Sequence, residues 1–441
     1  YTLEYKTSED GIYQSLETAH ENVPQSDKAD DYNLANNITI PAGSTYYYKL
    51  TIIFNNLPDI NQEADRTAIL STKFNLGEAV TELSPSQKTL AQLKMTAKDG
   101  IPNFATSATT DETVDGLYSM EDDYGTSYYF RGAVENNYVK FGGFFWRIIR
   151  INGDGSLRMI YDGTQAYANA NGGKGFGSDR FTYTGKAWNA NYDDAKYVGW
   201  MFGGDDGTHS TKKDVEATDV TEEAKSKAAT YNQTDSDLKE LWIDPWYKTN
   251  IEDKELSKYM GDEIFCNDRS TPGSEATGWE YDTGNGFGSN ATGYGGTSRL
   301  GGPWQTTVTE PTFKCPQKND AFTTDDTIKG NGALTYPIGL ITADEIVAAG
   351  SGRCDTTNKY YYLYKNNTYW YWSLSPNHVS GRYSNVFIVN TSGNLTSTSV
   401  NVAPSGVVGG VAPVINIAPE YAKTMVGEGT MTSPYQIPGA E

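Results

Sequence analysis

Residues 124–163 read YGTSYYFRGAVENNYVKFGGFFWRIIRINGDGSLRMIYDG. Runs of aromatic and β-branched residues alternate here with Asn136-Asn137 and with Asn152-Gly153-Asp154-Gly155. That is the composition of antiparallel strands joined by polar turns. The spacing predicts strands over 128–134, 138–141, 144–151 and 157–161. Along 144–151, strict alternation puts Phe145, Arg147 and Ile149 on one face and Phe144, Trp146, Ile148 and Arg150 on the other. Both faces are largely apolar, so this strand is expected to be central and buried.

Working outward, a chain of 441 residues is expected to form two or three domains with a substantial core. Its 35 basic residues face 56 acidic ones, a net charge of -21. Phosphate binding needs clustered Lys and Arg, so nucleic acid is excluded as a default partner, and an anionic membrane surface with it. Abundant Tyr (32) and Gly (45) suit an extracellular β-protein. His20, His209 and His378 lie far apart and outside any HxxxH or HExxH pattern, so no metal and no cofactor are expected. Neither a signal peptide nor a transmembrane span is visible. The chain opens inside an alternating strand, with Tyr1, Leu3 and Tyr5 on one face. That opening is expected of a processed or truncated product, located outside the cell or at its surface. The last residues carry no sorting motif or hydrophobic tail, which argues against wall anchoring through that end. Cys266, Cys315 and Cys354 are an odd count. They allow one disulfide with a leftover thiol, or an intermolecular pairing. Cys266–Cys315 is the favoured pair, because both flanking segments sit at the edges of expected structure.

Residues 1–80 read as a small all-β domain. Asp10-Gly11 marks a hairpin turn, further strands are expected at 12–16, 37–40 and 68–76, and Tyr46, Tyr48, Leu50, Ile52 and Phe54 line one face of a strand over 45–54. Residues 81–123 form a helix and linker. Ser84 is the expected N-cap, with Pro85 in the first turn, Gln87 completing a capping box, Gly100 past the end, and Leu90, Leu93 and Ala97 as the apolar stripe. The second domain spans 124–441 and carries a Gly/Asp-rich insertion over about 165–236. Short helices are expected over 235–242 and 245–251, with Leu238, Leu241, Trp242 and Trp246 inward. Thr342-Ala-Asp-Glu345 is a capping box for another. Later strands are expected over 360–374, 386–389 and 411–417. The fold class is mainly β with short helices (α+β).

Two resemblances extend this reading. NNITIPAGSTYYYKLTIIFNNLPDINQEAD (36–65) resembles the later part of camelysin/TasA-like domains, which form extracellular fibres by passing a strand from one subunit to the next. The earlier strands of such a domain are absent, which implies either a cut sequence or a strand supplied in trans. FCNDRS (265–270), TFKCP (312–316), GNGALTYPIGLITADEIVAAG (330–350), YWYWSLSP (369–376), GVAPVINIAP (410–419) and GEGTMTSPYQI (427–437) join 124–163 in resembling another family. It is a C-type-lectin-like, sulfatase-modifying-factor-like domain of surface and secreted proteins of Gram-positive gut bacteria, covering about 90–441. The resemblance implies a small β-sandwich-like domain followed by a C-type-lectin-like domain. The chain departs from that family at Ala412, where an Arg commonly precedes the proline; a polar cavity supported by that Arg would be altered or lost.

Candidate chemistry is sparse. The Gly-rich stretches 172–178 and 284–288 lack the Lys-[Ser/Thr] pair and following helix of a phosphate loop. Sulfatase-modifying enzymes use a reactive cysteine pair, but Cys315 and Cys354 are 39 positions apart in sequence, with no evident base nearby. No GxSxG elbow is present, so no catalytic residue is assigned. Glu121-Asp122-Asp123, Asp193-Asp194, Asp205-Asp206 and Asp325-Asp326 lack the alternating spacing of a calcium loop. Cys266-Asn267-Asp268 lacks the partner motif of a lectin calcium site. Tyr369, Trp370, Tyr371 and Trp372 are the candidate sugar-stacking platform, weighed against core or subunit packing. The expected function is that of a non-catalytic extracellular structural protein, the subunit of a fibre or pilus-like appendage. It would form a homopolymer through the strand bearing Tyr1, Leu3 and Tyr5. A glycan-binding adhesin facing host or bacterial glycans is the alternative, and a sulfatase-modifying-type oxidase the third reading.

Overall fold

The computed structural model describes residues 1–16, 34, 35, 38, 40, 44–53, 88–108, 115–169, 176–189, 236–269, 292–300, 310–316, 318–351, 358–365, 369–380, 383–399, 409–438 and 440. It divides into two compact units, Tyr1–Pro85 and Ser86–Glu441.

In the first unit, β1 (Thr2–Lys6), β2 (Gln14–Ser15) and β3 (Tyr47–Thr51) form an antiparallel sheet in the order β2-β1-β3. Gly11 closes the β1–β2 turn by donating its N–H to the Ser8 carbonyl at 3.0 Å. Leu3 is buried opposite Leu50, and Tyr5 stacks on Tyr46 with ring centres 5.7 Å apart. The strand expected to lie open for assembly, with Tyr1, Leu3 and Tyr5, is therefore the central strand, paired along both edges within the chain. The expected strands over 37–40 and 68–76 lie wholly or mainly outside the described residues.

The second unit holds the strands that the 124–163 stretch predicts. They are β5 (Gly125–Arg131), β6 (Tyr138–Phe141), β7 (Phe144–Ile151) and β8 (Leu157–Gly163), preceded by β4 (Gly116–Asp122), a strand paired with β5 inside the stretch expected to be linker. A second sheet contains β9 (Trp370–Ser380), β10 (Tyr383–Val389), β11 (Leu395–Ser399) and β12 (Gly409–Val411). In it Tyr183–Thr184, β12, β9, β10 and β11 follow in that order, with β12 parallel to β9. β13 (Val414–Ile417) returns to the first sheet, whose order is Ile338–Gly339, β13, β8, β7, β5, β4, with β6 also paired to β7. β7 thus has neighbours on both sides and is buried from Trp146 to Ile151, as its two apolar faces require.

Strict alternation fails at one point in β7. Arg147 stands opposite Ile160 and Arg150 opposite Arg158, so Ile149 is an extra, bulged residue. Residues 158 and 160 share a face of β8, and cross-strand partners share a face. Arg147 and Arg150 therefore point the same way, together with Arg158, rather than to opposite sides.

Other boundaries shift for local reasons. The helix expected over 84–100 is Leu90–Lys94, capped by Thr89 in a reciprocal capping box with Gln92. Ser84, Pro85 and Gln87 lie outside the described residues. Leu90 and Leu93 are buried, and Ala97 packs against the core. The segment after residue 236 is an α-turn, Asp244–Tyr247, flanked by π-helical turns Lys239–Ile243 and Lys248–Glu252. The wider π-turns break the 3.6-residue period, and Leu241, expected inside, is 57% exposed while Leu238 and Trp246 are buried. Residues 360–364 are not strand, although Tyr361, Tyr362 and Leu363 are buried. Of the 165–236 insertion, Tyr183–Thr184 pairs with β12, whereas 190–235 lie outside the described residues. The helix Ala343–Ala348 is buried along its whole length and touches β5 of the first sheet and β9, β10 and β11 of the second. The protein is mainly β-sheet with few short helices. Among the described residues no helix is long and apolar enough to cross a membrane.

Candidate functional site: a polar cleft filled by ion pairs

The bulge in β7 positions the centre of the second unit's polar cleft. Arg150 reaches Asp122 at the end of β4, Nη1 to Oδ2 at 2.6 Å, and Glu345, Nε to Oε1 at 3.1 Å. Arg158 places its Nε 2.6 Å from the same Glu345 oxygen. Glu345 is also the third helical residue of the capping box, so its other oxygen accepts the Thr342 N–H at 3.0 Å. One carboxylate thus caps a helix and holds two arginines. Burial favours its neutral form, but Arg158 and Arg150 outweigh burial and hold the carboxyl below the usual glutamate range. Asp344, its neighbour, takes Arg299 through two bonds of 3.1 and 3.0 Å, and Asp268 takes the same guanidinium at 2.8 Å. Burial lowers the Arg299 pKa, and the two carboxylates more than reverse that. Asp123 accepts the Cys315 N–H at 2.9 Å; burial dominates there and raises its carboxyl.

Arg150, Arg158 and Arg299 meet Asp122, Asp123, Asp268, Asp344 and Glu345 around one cleft. It encloses only ≈ 20 Å³ of free space, enough for about one water molecule. Displacing one of these buried ion pairs would leave charges unpaired at a cost of several kcal/mol, roughly 3–5.

A second charged cluster lies at the other end of β8. Asp162 Oδ1 accepts Arg180 Nε at 2.9 Å, Arg180 Nη2 at 2.8 Å and Lys365 Nζ at 2.7 Å. Burial pushes Lys365 down to about 8, with Asp162 opposing. Arg147 lies between the rings of Tyr138 and Tyr362, 3.8 and 5.4 Å from their centres, and donates to Asn137 Oδ1 at 2.7 Å. Three cations share one carboxylate here, so the cation–π contacts and carbonyl acceptors offset the excess. This cluster ties β7, β8 and the 358–365 segment together.

Of the residues selected from sequence, Asp122, Asp123, Cys266 and Asp268 line the ion-paired cleft, and the aromatic candidates fall elsewhere. Trp370, Tyr371 and Trp372 are buried, Trp372 at 0% exposure, and they pack as core: Trp370 meets Trp372 edge-on at 4.6 Å, and Tyr371 donates to the Leu363 carbonyl. Tyr369 is half-buried, 6.3 Å from Phe181. Trp370, Tyr371 and Trp372 are thus core, because β9 is buried on both faces from Trp370 to Asn377, and only Tyr369 of the four keeps partial exposure. Cys266 and Cys315 form a disulfide with Cα atoms 5.5 Å apart. Cys354 lies outside the described residues, as do His20, His209, residues 284–288 and the acidic pairs at 193–194 and 205–206. His378 is half-buried, and Ala412 is fully buried. Glu121 accepts the Thr126 hydroxyl, and Asp326 accepts the N–H groups of Ile328 and Lys329. Among the described residues no three His, Cys, Asp or Glu gather as a metal site. Sequence reasoning passed over the arginines. Their signal was in plain view: a charged residue inside a strand apolar on both faces requires a buried partner.

Comparison with protein-family models, curated proteins and solved structures finds no match to this chain.

Proposed function

We propose that the chain is a non-catalytic structural protein of the bacterial cell exterior that self-associates by exchanging a strand of its first unit. The observation that carries this reading is the place of β1. It pairs with both β2 and β3, and among the described residues each of those pairs with β1 alone. Supplying the same strand from a neighbouring copy would reproduce the same ladder and the same seat for Leu3, so exchange links copies with no new interface chemistry. Two features of the second unit support the rest. Its cleft is occupied by its own ion pairs, which suits a scaffold better than a catalyst. Its disulfide suits an oxidising compartment.

Electron microscopy of the purified full chain, with sedimentation, tests this. Regular filaments that persist in dilute buffer are expected. Leu3→Asp, which puts a charge in the β1 seat, is expected to abolish them while the second unit keeps its thermal transition. Wild-type protein that stays monomeric by both methods overturns the reading.

A further inference from the structure

The turn joining β7 to β8 reads Asn152-Gly153-Asp154-Gly155-Ser156, with oxygen-bearing side chains at alternate positions. Ser156 directs its N–H and its hydroxyl to Asp154 Oδ1 at 2.9 and 2.7 Å. Asn152 Nδ2 donates to Ser156 Oγ at 2.8 Å and lies 3.4 Å from Asn416 Oδ1. From a distant segment, Glu263 brings its carboxyl to face Ser156. Gly261 makes room for it, since a Cβ there would stand 2.3 Å from a Glu263 oxygen.

Three polar atoms of this cluster have no hydrogen-bond partner: Asn152 Oδ1, Glu263 Oε2 and Asn416 Nδ2. Their residues are 0%, 6% and 0% exposed. Buried polar groups left unsatisfied are costly, so three of them in one cluster call for an occupant. Asp154 and Asp262 face Glu263 as like charges. Asp262 is already committed to the N–H groups of Thr324, Asp325 and Asp326. Of the nearby cations, Arg158 is held by Glu345, and Lys94 faces Asp154 from outside the turn.

We propose that this turn, together with Glu263, binds a calcium-class divalent cation through Glu263, Asn152 Oδ1, Asp154 and Ser156 Oγ. Two carboxylates with amide and hydroxyl oxygens form a hard, irregular donor set, completed by water on the side of exposed Asp154. Calcium accepts six to eight oxygens in flexible geometry, whereas magnesium demands a near-ideal octahedron. Zinc would want His or Cys, and this cluster has neither.

The test is calcium titration of the EDTA-treated full chain, by calorimetry and by thermal unfolding, with magnesium in parallel. One saturable site per chain is expected, with a dissociation constant on the order of 10⁻⁴–10⁻³ M, the range of extracellular calcium modules. Calcium should raise the unfolding temperature more than magnesium does. Glu263→Gln and Asp154→Asn should each weaken binding about tenfold or more, as loss of a charged ligand does. Asp154 lies on an exposed turn, so its variant keeps the test valid if Glu263→Gln fails to fold. No saturable heat and no thermal shift up to ~10 mM calcium, well above that range, would overturn the proposal. So would binding unchanged in both variants, the result expected of diffuse calcium on a chain of net charge -21.

Discussion

Arg150 shows what a single residue does in this protein. Its guanidinium joins the end of β4 to the helix that touches both sheets, through Asp122 and Glu345, and lies 5.0 Å from the Phe313 ring. Removing one partner of a buried pair strands the other, so Arg150→Ala should cost about 3–5 kcal/mol in urea unfolding. The double variant with Asp122→Asn should lose less than the sum of the two single losses, because the second change removes a carboxylate the first has stranded. Additive losses would show that the pair is not coupled. The need for such partners was legible in FFWRIIRI, where arginines interrupt an apolar strand. Their identity was not, since Asp122 and Glu345 lie 28 and 195 positions away in sequence. No local pattern carries that pairing.

At the scale of elements, legibility follows how local the deciding chemistry is. The 342–345 capping box could be read directly, because a Thr and a Glu three residues apart bond to each other's backbone. Near residue 90 two such boxes compete in sequence, Ser84 to Gln87 and Thr89 to Gln92, and burial of Leu90 and Leu93 goes with the second. The bulge at Ile149 was hidden, since it exists only in register with β8. The π-turns hid Leu241 for a similar reason: periodicity assumes the turn it is trying to find. The two capped helices also differ in a testable way. Thr89→Ala should cost about 1 kcal/mol, an ordinary loss of a cap. Thr342→Ala should cost more, towards the ~2 kcal/mol upper end, because it loosens the carboxylate that anchors Arg150 and Arg158. Denaturant midpoints of the two variants decide it, and equal losses would mean Glu345 is held by the arginines alone.

At the scale of the whole molecule, buried Glu263 and half-buried His378 give opposing responses to pH. In metal-free protein, burial first and Asp154 second raise Glu263 from 4.5 to about 8. The folded state then keeps a proton that the unfolded chain releases, so this contribution is complete below 4.5 and is lost as pH climbs to about 8. Burial lowers His378 from 6.5 to about 4. Its contribution is complete above 6.5 and is lost as pH falls towards 4, where the folded state resists charging the ring. Between 4.5 and 6.5 the two slopes oppose each other; above 6.5 the Glu263 slope dominates until Lys365, lowered to about 8, opposes it at higher pH. Each pKa unit is worth about 1.4 kcal/mol, so the decline from pH 6.5 to 8 should reach roughly 1–2 kcal/mol. Urea midpoints in EDTA at pH 5.5, 6.5 and 8 measure it. Glu263→Gln, neutral at every pH, should flatten the alkaline decline, and His378→Gln should flatten the acid one. Calcium at saturating concentration should flatten the alkaline decline in wild-type protein, because a bound cation compensates the ionised carboxylate in place of the proton. An alkaline decline that survives Glu263→Gln would assign it to another group.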